Sequence, residues 1–153
     1  MATFNQIMIQ FAITMVMIVI CVVIHGAGLF SLNRAARSEA ALEQLRNMNP
    51  LSPRGTLFTL GTVLAIIALH GVEIWAFALL YILLGAMPTL EGALYFSTIS
   101  YSTAGYSDSH IEPAWRLMGA FESILGVILM GWSTAFFFRM IGRIDPHSDG
   151  SPV

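Results

Sequence analysis

Lysine is absent from this chain, cysteine occurs once, and charged residues make up only 10% of its 153 positions. Each shortage excludes something. A soluble domain carries about 25% charged residues, so a water-exposed globule gives way to a membrane protein as the first reading. One cysteine, Cys21 in an apolar run, cannot close an intrachain disulfide. A formal net charge of -2 offers no basic surface for nucleic acid, which is not expected as a partner.

What is abundant is apolar: 56% of the residues are hydrophobic. Residues 4–32 carry no Arg, Lys, Asp or Glu, and residues 57–88 carry only Glu73. Both runs exceed the roughly 20 residues that a bilayer crossing needs. A third run, 115–140, is interrupted by Arg116, Glu122 and Arg139. The first run lacks the basic leader and small-residue cleavage site of a signal peptide, and it reads as a retained helix. All seven basic residues are arginine, and six of them fall in two places: Arg34, Arg37, Arg46 and Arg54 between the first two runs, Arg139 and Arg143 after the third. The positive-inside rule then puts the 33–54 segment and the C-terminal tail in the cytoplasm, and the N-terminus and the 88–114 segment outside. Three crossings satisfy that arrangement.

The expected organisation is an N-terminal transmembrane helix over 1–32, an amphipathic cytoplasmic linker over 33–54, a membrane domain over 55–143 and a short cytoplasmic tail over 144–153. In the linker, Leu42 and Leu45 alternate with Arg34, Arg37, Glu39 and Glu43, as in a helix lying at a membrane surface. Asn49-Pro50 and Ser52-Pro53 break it, and the second span, 56–87, starts near Thr56. Gly85 to Pro88 ends that span, after which Thr89 and Glu91 mark a new helix start. The helix so begun, 90–100, has about three turns and is too short for a hydrocarbon layer of roughly 30 Å. It is therefore re-entrant or lies on the surface. The polar, glycine-containing stretch after it cannot face lipid and must line water or protein. The third span covers 115–141.

Ser102-Thr103-Ala104-Gly105-Tyr106-Ser107-Asp108 resembles the selectivity filter of the potassium-channel superfamily, with its T-V-G-Y-G signature. Ala93-Leu94-Tyr95-Phe96-Ser97 is similar to the aromatic pore helix that precedes the filter there, and Trp115-Arg116-Leu117 to the start of the inner helix. The resemblance covers about residues 56–142 and is nearest to small bacterial channels with two helices per pore domain, the first span being an extra helix. It implies an all-α homotetramer in which each chain supplies three transmembrane helices, a pore helix and a quarter of the filter. Potassium ions would be held by the Thr103 hydroxyl and by the carbonyls of Thr103, Ala104, Gly105 and Tyr106. Gly105 would take backbone conformations closed to other residues, and the Tyr106 ring would lean on Tyr95 and Phe96. Ser107 occupies the last filter position, glycine in the family, and Ala104 replaces a branched residue. Gly126 falls where the family has a flexible inner-helix glycine; Met130, Thr134 and Phe138 follow on one stripe toward the cavity, with Phe138 a candidate constriction. Ser102 and Asp108 would flank and support the filter.

Ionisable groups inside spans read as functional until shown to be packing. Glu122 is expected to reach hydroxyls behind the filter, Ser100 or Ser102. His70 and Glu73, three residues apart on the second span, share a face and can pair; the pair reads as an interhelical contact, with proton sensing as the alternative. His25 is expected to be packed or interfacial. Asp108, His110 and Glu112 would concentrate cations at the outer mouth. The first span has no arginine row and so no voltage sensor, and the tail is too short for a ligand-binding domain. Gating then falls to the membrane part, the 33–54 segment or a separate regulatory protein. The Gly105-x-Ser107 pair lacks the second glycine of a nucleophile elbow. The expectation is a potassium-selective channel of the bacterial inner membrane, with membrane lipid and potassium ions as its partners, no cofactor and no covalent chemistry. A weakly selective cation channel and a non-conducting subunit that keeps the pore fold are the alternatives.

Overall fold

A computed structural model describes residues 4–37, 52–105 and 111–142. Most of the linker, the expected filter residues Tyr106, Ser107 and Asp108, the expected mouth residue His110, Arg46, Arg143 and the tail lie outside the described residues. The described residues are all helical or turn: α1 (Phe4–Ala35), α2 (Pro53–Leu83), α3 (Leu90–Tyr101), a 3-10 turn (Pro113–Trp115) and α4 (Arg116–Ile141). Among them 87% are helical and none is in a strand. Three helices are long and apolar enough to cross a membrane, as the charge-free runs require.

The helix ends follow from local chemistry. α2 begins at Pro53, three residues before the expected Thr56. Proline is suited to the first helical position because its missing N–H would have no partner there, and Ser52 caps the helix by accepting from the Gly55 N–H at 3.1 Å. At its far end the Gly85 N–H bonds to the Ile82 carbonyl and the Ala86 N–H to the Tyr81 carbonyl, with Gly85 at φ 64°. This six-residue closure needs a left-handed residue, which glycine supplies without steric cost. Thr89 then starts α3 by accepting from the Gly92 N–H, and Glu91 lies in the first turn, where the helix dipole favours an anion.

α3 lies between α2 and α4, and α1 covers both long helices from one side. The buried residues of α1 are Gln10, Thr14, Met17, Cys21, His25 and Leu29, one narrow seam at three- and four-residue spacing. Much of the rest of the helix, including Val16, Val19 and Val23, is exposed, as suits a surface facing lipid rather than water. Near the α2–α3 turn the core gathers Phe77, Tyr81, Phe96, Met118 and Leu125. A second cluster joins Leu29, Phe136 and Met140 to Phe58 and Leu69. That cluster brings the end of α1, the start of α2 and the end of α4 to one side. Arg34, Arg37, Arg54 and Arg139 are accordingly gathered there, with Arg116 at the opposite end.

Candidate functional site

The short helix α3 organises the site. It ends beside the middle of α2, which the Tyr101 hydroxyl reaches: it donates to Glu73 Oε2 and lies 2.8 Å from His70 Nδ1. Tyr101 is 2% exposed, yet Ser102, Thr103, Ala104 and Gly105, which follow it, are all exposed on the surface of the single chain. Buried chain thus gives way to bare backbone within one residue.

The turn that produces this change is built like the end of α2. The Thr103 N–H bonds to the Ser100 carbonyl and the Ala104 N–H to the Ile99 carbonyl. The left-handed residue is Thr103, at φ 56°. A β-branched residue in that region costs about 1–2 kcal/mol. Gly105, expected to supply the unusual conformation, has no positive φ. The difference has a physical cause: the closure of α3 demands the left-handed residue at its own C′ position, two residues before the glycine.

Behind α3 stands Glu122 of α4, wholly buried. It accepts from Ser97 Oγ at 2.5 Å and from Tyr81 Oη at 2.6 Å, and Ser97 Oγ also lies 2.9 Å from the Ile74 carbonyl. The expected partners were Ser100 or Ser102. Instead the Ser100 hydroxyl is buried with no hydrogen-bond partner among the described residues, and Ser102 bonds back to the Thr98 carbonyl at 2.7 Å. Register explains the shift. Gly126 lies so close to the last turn of α3 that a Cβ built there would stand 2.0 Å from the Tyr101 carbonyl oxygen. The two helices run in the same direction, so with Gly126 against Tyr101, the residue one turn earlier on α4, Glu122, faces the residue one turn earlier on α3, Ser97. Close approach of two backbones is what this position requires of glycine.

Of the expected stripe on α4, Gly126 is buried, Met130 is partly buried, and Thr134 and Phe138 are exposed. Met130, Thr134 and Phe138 border an open cleft of about 350 Å³ that also includes His70 and Ser133. Thr134 returns its hydroxyl to the Met130 carbonyl at 2.8 Å. Tyr95 is exposed and Phe96 buried against Tyr81 at a ring distance of 5.3 Å. The two aromatics therefore do not form one wall.

His70 and Glu73 do meet, Nδ1 to Oε2 at 3.4 Å, but as part of a larger cluster. His25 of α1 bonds to Glu73 Oε1 through Nδ1 at 2.8 Å and lies 3.1 Å from Ser133 Oγ through Nε2. The sequence did not reveal His25 and Tyr101 as partners of Glu73, or Ser133 as the partner of His25. Their signal was weak: a histidine, a tyrosine and a serine at scattered positions on three helices, joined only by packing. Glu112 holds the chain just before the 3-10 turn to the α2–α3 turn, its N–H donating to the Ala86 carbonyl at 3.1 Å, and its side chain is exposed.

A half-length helix ending in exposed backbone between two full-length helices is the layout of a pore loop. A family model described as ion channel, of the kind with two membrane helices and a potassium-channel-like pore, matches residues 67–143. The chain belongs to the ion-channel family. Neither the curated proteins nor the solved structures contain a match. The matched segment of the channel takes in the second half of α2, all of α3 and all of α4; α1 lies outside it. The channel is a multi-pass membrane protein whose family points to transport rather than catalysis.

Proposed function

We propose that four copies of the channel surround one axis and conduct potassium through a filter made of the carbonyls of residues 103–106. The observation that carries this reading is the exposure of residues 102–105 beside the buried Tyr101. Backbone outside a helix, at membrane depth, is tolerated only where it lines water or is covered by protein. Further copies of the same loop answer both needs, since rings of carbonyl oxygens replace the hydration shell of the ion. The C-terminal end of α3, where the helix dipole is negative, favours a cation in the cavity below. Basic residues at the α1 end, α2 start and α4 end support a cytoplasmic location for that side. Met130, Thr134 and Phe138 line the route from the cavity, and Phe138, 69% exposed on the single chain, forms the narrowest apolar point.

Reversal potentials of the purified channel in planar bilayers, under opposed potassium and sodium gradients, test the proposal. Potassium preference with block by barium is the expected result; equal permeability would sink it. Ser107 and Ala104 favour a second reading, weak selectivity among cations, because a non-glycine residue at the last filter position is strained by about 1–2 kcal/mol in left-handed geometry. Under that reading Ser107→Gly raises the potassium-to-sodium permeability ratio, whereas under the first reading the ratio is already high and the variant changes it little.

A further inference from the structure

We propose that His25, His70, Glu73 and Tyr101 form a binding site for a transition-metal dication of the zinc class, buried where α1, α2 and α3 meet. The site stands apart from the filter and does not depend on what the filter selects. Ligand atoms of His25, His70 and Glu73 all lie within 4.8 Å of one another. The Tyr101 hydroxyl joins them, 2.8 Å from His70 Nδ1 and bonded to Glu73.

Geometry and donor type agree on the class of ion. A tetrahedral zinc ion bound at about 2.0–2.1 Å holds its ligands about 3.3 Å apart. His25 Nδ1 and Glu73 Oε1 are 2.8 Å apart, and His70 Nδ1 and Glu73 Oε2 3.4 Å, each within about half an ångström of that spacing. Two imidazoles among four donors suit zinc, copper or nickel, whereas magnesium and calcium prefer oxygen alone. Charge agrees as well. Two neutral imidazoles, a carboxylate and a phenolate sum to -2, so a dication leaves the site neutral, as a low-dielectric interior favours. The Tyr101 phenol releases its proton on binding, one per ion taken up, since a bound dication inverts the usual preference for the protonated ligand.

Two further observations point the same way. Ser133 Oγ lies 3.1 Å from His25 Nε2. A serine hydroxyl donates to a bare ring nitrogen or accepts from a protonated one. It therefore holds the ring in the present arrangement and also when Nδ1 gives its lone pair to a metal, the outer support that metal-ligating histidines have. A route exists too: His70 and Ser133 both line the 350 Å³ cleft between α2 and α4, and His70 is 15% exposed.

The test uses the full chain without a polyhistidine tag, in detergent. The substitutions His110→Gln and His147→Gln remove the other two of its four histidines. Zinc is titrated against a chromophoric chelator, and cobalt(II) replaces zinc for visible spectroscopy. The expected result is one zinc per chain and the intense visible bands of four-coordinate cobalt. Affinity falls by at least about tenfold in His25→Gln and by about tenfold in Ser133→Ala, which leaves every ligand in place. Should His25→Gln fail to fold, Ser133→Ala and the cobalt spectrum decide. Absence of stoichiometric zinc, the weak spectrum of six-coordinate cobalt, or unchanged affinity in Ser133→Ala together with His70→Gln overturns the site and leaves a hydrogen-bonded cluster only.

Discussion

Among the described residues two carboxylates are wholly buried, Glu122 and Glu73, and they are satisfied in different ways. Glu122 accepts from two hydroxyls, Ser97 and Tyr81, and all three residues belong to the segment that matches the family. Glu73 is held by two imidazoles and a phenol, and one of those imidazoles, His25, belongs to α1, outside that segment. The first carboxylate is internal to the pore fold; the second is the clasp by which an additional helix is fastened to it. Both grip α3. Ser97 and Tyr101 are four residues apart, about 6 Å along the helix, so consecutive turns of the short helix are tied to different parts of the molecule.

The largest effect on this arrangement should come from the position that sets the spacing of both grips. A Cβ at position 126 meets the Tyr101 carbonyl oxygen, a backbone atom that cannot swing aside as a side chain would. Gly126→Ala must therefore push α3 from α4, stretching the Ser97–Glu122 bond and dragging Tyr101 from Glu73. Overpacking of this kind costs about 3 kcal/mol per chain, the upper part of the usual range. Thermal unfolding in detergent and ion flux from proteoliposomes should both fall. A variant with unchanged unfolding and flux would show that the two helices need not touch here.

Next in size is Glu122→Ala, which takes away the carboxylate that the Ser97 and Tyr81 hydroxyls share. Losing such a buried partner costs about 1–3 kcal/mol; Ser97 keeps the Ile74 carbonyl as a second partner, so the total lies at the low end. Glu122→Gln retains an accepting oxygen and should be milder. Unfolding measurements on the two variants rank them. Equal loss in both would mean that charge, rather than hydrogen bonding, is what the site needs.

How much of this was legible beforehand depended on how local each feature is. The long helices follow from runs without charge, and the half-length of α3 from Thr89 and the polar stretch beyond Tyr101. The pairing of His70 with Glu73 follows from their three-residue spacing on one helix. Pro53 was legible as a helix breaker, but its use as the first residue of α2 needs the Ser52 cap, which spacing alone does not reveal. Glu122 was expected to support the filter through Ser100 or Ser102, whereas it meets Ser97, because register between helices is set by the approach at Gly126. The His25–Glu73 bond spans 48 residues. No periodicity within one helix encodes it.

The smallest effect, and the one that separates the two carboxylates most cleanly, is expected from His25→Ala. Glu73 keeps His70 and Tyr101, and the Ser133 hydroxyl loses one partner, so the loss should be about 1–2 kcal/mol. What changes is the attachment of α1. Cys21, the single cysteine, lies in the same buried seam one turn from His25 and is wholly covered. It reports on the seam by its rate of reaction with a membrane-permeant maleimide. His25→Ala should speed labelling several-fold, in keeping with a loss of about 1 kcal/mol being a factor of about five in an opening equilibrium. Glu122→Ala, acting on the other side of α3, should leave the labelling rate near that of the unaltered chain even though it costs more stability. Equal acceleration by both substitutions would mean that α1 and the pore helices open as one unit, and the division between pore brace and clasp would fail.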